Sequence, residues 1–408
     1  MSTENSGKHI GRSTVGSEQF EVVVIGGGQA GLSVGYHLQQ QGRDFVVLDT
    51  NERVGYTWRK RWDSLRLFTP ARYDGLPGMP FPASAHKYPT KDEMADYLVA
   101  YTVRFGLPVR TGVKVDGLSR QGDRFVVTSG DLRFEAENVV VATGGYHDPK
   151  VPTFASELDP DVLQLHSSQY RRPSQLREGD VLVVGAGNSG AEIALDVSRS
   201  HIVYLSGRHS GNEPTRPGSA ADRLVTPIIW FVFSHVLTVN TPLGRKAAAH
   251  LRNHGLPLAR VRPADLLAAG VERIHARTVA AQDGLPLLDD GRVLDVANVI
   301  WCTGYRPEFG WIDLPILDDG EPTHERGVIA TVPGLYFVGL FFLSAATSSL
   351  VGGVGKDAAY IADQIAARAG MERHPEGRAS GVAVQRSYPR GPSDPETSRW
   401  KARVGESE

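Results

Sequence analysis

The chain has 408 residues, 41% hydrophobic and 22% charged, with a formal net charge of −2. These are values of an ordinary globular protein with room for two domains, and the overall charge gives no reason to expect nucleic acid or a charged membrane surface as partner. A single cysteine, Cys302, excludes an intrachain disulfide and a redox-active Cys-x-x-Cys pair, and it fits a reducing, cytoplasmic setting.

Residues 1–19 are polar, lack the apolar run of a signal peptide, and read as a disordered tail. The stretch "FEVVVIGGGQAGLSVGYHL" (20–38) predicts strand 20–25, a glycine turn and helix 30–41, and strand 44–48 then closes on Asp49. A polar, Pro-rich loop fills about 50–90. Helical spacing of apolar residues predicts a helix over 91–106, stopped by Gly-Leu-Pro. Residues 109–136 read as short strands with turns at Gly122-Asp123 and Gly130-Asp131, and "NVVVATGGY" (138–146) as a buried strand.

A second unit opens at "VLVVGAGNSGAEIAL" (181–195), with helix 189–199 and strand 201–206. The insert 211–262 reads as irregular. Within it, "LVTPIIWFVFSHVLTV" (224–239) is shorter than the roughly 20 residues of a spanning helix and contains Pro227 and His235. A buried or substrate-lining helix is favoured there over interfacial membrane contact. Residues 271–303 repeat the end of the first unit, with turns at "QDG" and "DDG" before "NVIWCTGY". One more strand and helix over 334–370 are expected to return to the first sheet, and 371–408 to form a second disordered tail. The expected fold class is α/β. It comprises two Rossmann-like dinucleotide-binding domains, the second (171–300) inserted into the first (20–165 and 301–370), each with a small antiparallel flap.

Gly26, Gly28 and Gly31 lie between a predicted strand and helix. The first glycine permits a tight turn, the second admits a pyrophosphate to the backbone, and the third lets helix pack on strand. Free N–H groups at the helix N-terminus then face the phosphates. Asp49, eighteen residues beyond Gly31, suits a ribose without a 2′-phosphate, so this site is read for FAD. Gly185, Gly187 and Gly190, with Asn188 and Ser189 at the start of the helix, repeat the device. Here the second strand ends in Ser206-Gly207-Arg208-His209, without a carboxylate. An acid repels a 2′-phosphate and an arginine forks onto one, so Arg208 points to NADPH. A protein with both sites is suited to passing a hydride from nicotinamide to flavin. The histidines show no metal-ligand spacing, and no metal site is expected.

Both motifs, together with "ERVGYTWRKRWDSLRL" (52–67), "HSSQYR" (166–171) and "NVIWCTGYRP" (298–307), resemble the class B flavin-containing monooxygenases, including the plant YUCCA type. The resemblance spans about 20–370. It implies FAD at the first motif, NADPH at the second, and Trp58 of Gly55-Tyr56-Thr57-Trp58 against the flavin. It also implies oxygen transfer from a flavin C4a hydroperoxide to N, S or an activated C of a small organic substrate. Partners are then dioxygen and that substrate, without nucleic acid or integral membrane association and compatible with a homo-oligomer.

Three departures stand out. Tyr56 replaces a family glycine. Pro160 and Val162 stand where the fingerprint ending in His166 and Tyr170 has Phe and Gly, and His166 is read as a hinge residue more than a catalytic one. Phe68 occupies the place of an Asn beside the flavin, leaving the neighbouring Thr69 to offer a hydrogen bond. No catalytic residue is assigned. A same-fold alternative is an NADPH oxidase or reductase passing electrons to oxygen or a quinone, and an alternative of another class is a cofactor-binding redox sensor without turnover. Thioredoxin-reductase-like chemistry lacks its cysteine pair.

Overall fold

β1 (Glu18–Ile25) and β2 (Phe45–Leu48) are apolar runs whose residues from Val22 and from Phe45 onward are buried, as strands covered on both faces must be. The computed structural model describes residues 17–208, 211–318 and 320–373. The rest of both expected tails, and His209, lie outside the described residues. Glu18 and Gln19, assigned to the first tail by sequence, already pair with Phe134 and Glu135 in the sheet.

Between the two strands, helix α1 (Gln29–Gln40) buries Ala30, Leu32, Val34 and Leu38 against them. Each fully buried aliphatic side chain contributes roughly 1.5–3 kcal/mol. Helix α2 (Lys91–Phe105) starts at a capping box: Glu93 N–H donates to Thr90 Oγ1 at 3.2 Å and Thr90 N–H to Glu93 Oε2 at 2.9 Å. Gly106, with φ +58°, ends it. Its tyrosines anchor the polar loop before it: Tyr97 donates to the Met79 carbonyl and Tyr101 to that of Pro77.

Beyond α2 come β3 (Val109–Arg110), β4 (Gly117–Gln121), β5 (Arg124–Ser129) and β6 (Leu132–Val141). β3, β2, β1 and β6 are parallel neighbours in that order. β6 is long enough to serve two partners on the edge away from β1. Its first half pairs antiparallel with β5, which pairs with β4; its second half is left for a parallel strand from far along the chain.

The chain then builds a second sheet from β7 (Leu163–His166), β8 (Val181–Val184), β9 (Val203–Ser206), β10 (Glu272–Ile274) and β11 (Asn298–Trp301). All pairs are parallel, in the order β10-β9-β8-β11-β7. Helix α3 (Asn188–Val197) joins β8 to β9, and the hairpin Thr278–Gln282 with Leu285–Leu288 precedes β11. The boundary at 165 needs correction. β7 hydrogen-bonds to β11 of the second sheet, and Ala155, Leu158 and Val162 pack with Leu182 and Trp301. The outbound crossing lies earlier, at Asp148–Pro149, which pairs antiparallel with the returning Tyr305–Arg306.

The insert is not irregular. It forms α4 (Ala220–Phe231), a π turn over Val232–Val236 and α5 (Pro242–His254). Nor is α4 the buried helix expected, since Asp222 is its one buried residue. Finally β12 (Leu335–Phe337) takes the free half of β6, and α6 (Val354–Arg373) follows. Residues 371–373 thus continue a helix rather than begin the second tail.

Candidate functional site

The two glycine turns share their main contacts. Gly26 N–H donates to the Leu48 carbonyl at 2.7 Å and Gly185 N–H to that of Ser206 at 2.9 Å. Both glycines have positive φ, +113° and +103°. A Cβ would lie 2.5 Å from the Ala142 carbonyl oxygen at Gly26 and 2.4 Å from that of Cys302 at Gly185. Ala142-Thr143-Gly144 and Cys302-Thr303-Gly304 are therefore the matching strand ends. A Cβ on Gly31 would lie 1.8 Å from the Gly26 oxygen, and one on Gly190 the same distance from that of Gly185, so helix and turn touch at both places. Gly28 and Gly187 differ. Each is the N-cap of its helix in extended conformation, and a Cβ there meets nothing within 4 Å. Open space before a row of free N–H groups is what a pyrophosphate needs.

The turns diverge one residue past the second strand. Asp49 is buried and accepts from Gly27 N–H at 2.8 Å through Oδ2, and from Asn51 N–H at 2.7 Å through Oδ1. The corresponding residue is Gly207, whose N–H donates to Ile274 as that of Asp49 does to Arg110. No carboxylate fills the second turn there. Arg208 follows, exposed and without an ion-pair partner among the described residues. Asn188 is committed elsewhere. Its amide donates to the Pro257 carbonyl and accepts from Ala259 N–H, both at 2.9 Å, pinning the end of the insert, while Ser189 beside it is half-buried.

Around the first turn, Trp58 is half-buried against the α1–α2 core. Phe68 is 38% exposed. The Thr69 hydroxyl donates to Asp74, leaving its lone pairs as acceptors. Sequence reasoning missed Asp74, which sits in a loop without periodicity. Burial pushes its carboxyl up to about 7, and its Oδ2 lacks a partner among the described residues. Burial also pushes the Cys302 thiol up to about 12, so this cysteine is a packed residue of the strand end rather than a thiolate.

His166 ends β7 with both ring nitrogens occupied. Nδ1 accepts from Ser168 N–H at 3.2 Å and Nε2 lies 3.0 Å from the Gly304 carbonyl, an arrangement of neutral imidazole. Burial lowers its pKa accordingly. Its ring meets Tyr305 edge-on at 5.0 Å, and Arg61 Nη1 donates to Tyr305 Oη at 3.0 Å. The histidine thus ties β7 to the returning crossing. Tyr170 is buried and donates to Asp196 at 2.9 Å.

The insert reaches back over the first sheet's segments. Trp230 stacks on Tyr73 at 4.6 Å, Thr238 bridges to Ala345, and Tyr88 donates to Asp222 at 2.7 Å. Burial pushes the Asp222 carboxyl up. Hydrogen bonds from Thr226, Tyr88, Gly218 N–H and Thr215 outweigh that and hold it below its usual range. Beneath the insert lies a cavity of about 190 Å³ bordered by Ser234, Asn240, Arg326, Thr347 and Lys356.

Residues 23–240 match the family described as pyridine nucleotide-disulphide oxidoreductase. The chain is 40% identical over 347 residues to an uncharacterized CzcO-like oxidoreductase of Geobacillus kaustophilus, covering 85% of this chain and 98% of that protein. It is 28% identical over 320 residues to a probable indole-3-pyruvate monooxygenase, YUCCA9, of Arabidopsis thaliana, covering 70% and 74%. A solved flavin-containing monooxygenase from Stenotrophomonas maltophilia shares 30% identity and superposes with a TM-score of 0.66, covering 86% of this chain and 99% of that one. These matches agree with the doubled glycine turn: the chain belongs to the pyridine nucleotide-disulphide oxidoreductase family, as an oxidoreductase similar to the flavin-containing monooxygenases.

Proposed function

We propose that this protein is an FAD-dependent, NADPH-consuming monooxygenase that inserts one oxygen atom of dioxygen into a small organic substrate. The first sheet with its returning β12 is the FAD domain, and the second sheet is an NADPH domain inserted into it. One observation carries the reading: two turns with the same closing hydrogen bond and the same close approach of glycine to strand end and of helix to turn, one closed by Asp49 and the other left open at Gly207 with Arg208 next to it. The free space at Gly28 and Gly187 fits a pyrophosphate at each. Flavin, when bound, supplies the redox chemistry with nicotinamide and oxygen.

The chain's own residues do the placing. Gly28 and the first N–H groups of α1 would hold the FAD phosphates, and the remaining lone pairs of Asp49 would accept from the ribose hydroxyls. Gly187 and the start of α3 would hold the NADPH pyrophosphate, and Arg208 would fork onto the 2′-phosphate. Trp58, half-buried against the α1–α2 core, would pack on the flavin ring. His166, Arg61 and Tyr305 hold the two crossings, and so fix how the second turn is presented to the first.

The test is anaerobic reduction of the purified yellow protein by NADPH, then admission of isotopically labelled oxygen with candidate N-, S- and carbonyl-bearing substrates. Label in the product supports the reading. Phe68 specifically favours a second one, an NADPH oxidase, because phenylalanine offers no hydrogen bond beside the flavin. NADPH consumption giving only peroxide with every substrate would select it.

A further inference from the structure

α4 wears its polarity inside out. Its acid, Asp222, points inward and is bound by Tyr88, Thr215 and Thr226. Leu224, Ile228 and Phe231 are 75%, 63% and 58% exposed. At about 100° per residue these three, with Ala220, Ala221 and His235 continuing the spiral into the π turn, fall within about 60° of one line, and all six are exposed. Leu243 of α5 adds a fourth large apolar side chain, 57% exposed. A water-facing helix normally has the opposite arrangement, and a contiguous apolar stripe of this kind marks an interaction surface.

Charge says what the surface is for. Residues 214–259 carry five Arg or Lys and one acid, the buried Asp222, although the whole chain is slightly negative. Arg216 and Arg252 pair with Asp265 and Glu321, but Arg223, Arg245 and Lys246 have no carboxylate partner among the described residues. A second copy of this chain would bring the same excess of cations to such a contact and no free carboxylates to meet them. An anionic bilayer accepts both features, apolar side chains sinking below the headgroups while cations meet phosphates. No helix among the described residues is long and apolar enough to cross a membrane.

We infer that the α4–α5 face docks the protein peripherally on anionic phospholipid. The minor sequence reading of interfacial contact at 224–239 thereby replaces the buried helix. The overall net charge hid this face because acids elsewhere in the chain offset the insert.

The test is flotation of the full flavin-loaded chain with vesicles of phosphatidylcholine alone or mixed with phosphatidylserine. Binding to the mixed vesicles, little to the neutral ones, and weakening by salt are expected. The double variant Leu224→Ser/Ile228→Ser should bind at least about 10-fold more weakly. Arg245→Gln and Lys246→Gln should each cost about 5-fold. Flavin content and melting temperature should be unchanged, since all four side chains are exposed. No binding, equal binding to both vesicles, or binding unaffected by Leu224→Ser/Ile228→Ser would overturn the inference. So would a dimer in sedimentation that the double variant dissociates, which would assign the face to a second copy.

Discussion

Alanine at Gly187 and, separately, at Gly28 distinguishes the work of the two turns. Both glycines cap a helix in extended conformation, with φ of −78° and −81°, so alanine fits the backbone. An added Cβ at either meets no protein atom within 4 Å. The folding cost is then only that of a weaker N-cap, up to about 1 kcal/mol. The methyl instead occupies the space through which a pyrophosphate approaches the helix N-terminus. Displacing one charge-assisted hydrogen bond costs about 1.5–3 kcal/mol, or roughly 10- to 150-fold in affinity. Gly187→Ala should keep its flavin and melt near the parent temperature while its KM for NADPH rises by at least about 10-fold. Gly28→Ala should purify with much less flavin yet unfold normally. Gly190→Ala is the contrast: its Cβ would lie 1.8 Å from the Gly185 oxygen, so folding itself should fail. The assays are flavin absorbance per chain, thermal melting and steady-state kinetics. Loss of flavin from Gly187→Ala, or no effect from either N-cap variant, would refute the assignment of the turns.

Three further outcomes follow from single side chains. Arg208→Ala should raise the KM for NADPH by roughly 10- to 150-fold and leave that for NADH nearly unchanged, whereas an equal rise for both would make Arg208 structural. Phe68→Asn, which adds a hydrogen-bonding group at a partly exposed position, should lower the peroxide released per NADPH oxidised; an unchanged yield would show that other groups govern the coupling. Asp74 titrates at about 7 folded against 3.8 unfolded, so the native chain holds the extra proton between those values. Asp74's contribution to stability is therefore full below about pH 4 and falls by on the order of 4 kcal/mol as pH rises toward about 7. Glu213, pushed by burial up to about 7, adds in the same direction. Asp74→Asn should flatten part of that decline in thermal melts between about pH 5 and pH 8, and parallel declines in parent and variant would refute it.

Where a backbone needs a particular residue type, the residue order alone was informative. Gly26, Gly31, Gly185 and Gly190 stand where any side chain would strike a carbonyl, and the apolar runs beside them are strands because both faces are covered. Those local demands determined two like turns, an acid at one and none at the other, and the lack of a cysteine pair. Contacts between distant segments left no such mark. Nothing near Asn188 announces that its amide holds residues 257–259, and Asp74 titrates near neutrality only because the surrounding loop buries it. The place of β7 beside β11, the division of β6 between β5 and β12, and the outward turn of α4 were settled by packing. A hydrophobic run reads the same whether it faces a core or the solvent. Only the tertiary structure, by placing Asp222 against Tyr88, decided which side of that helix the apolar residues would take.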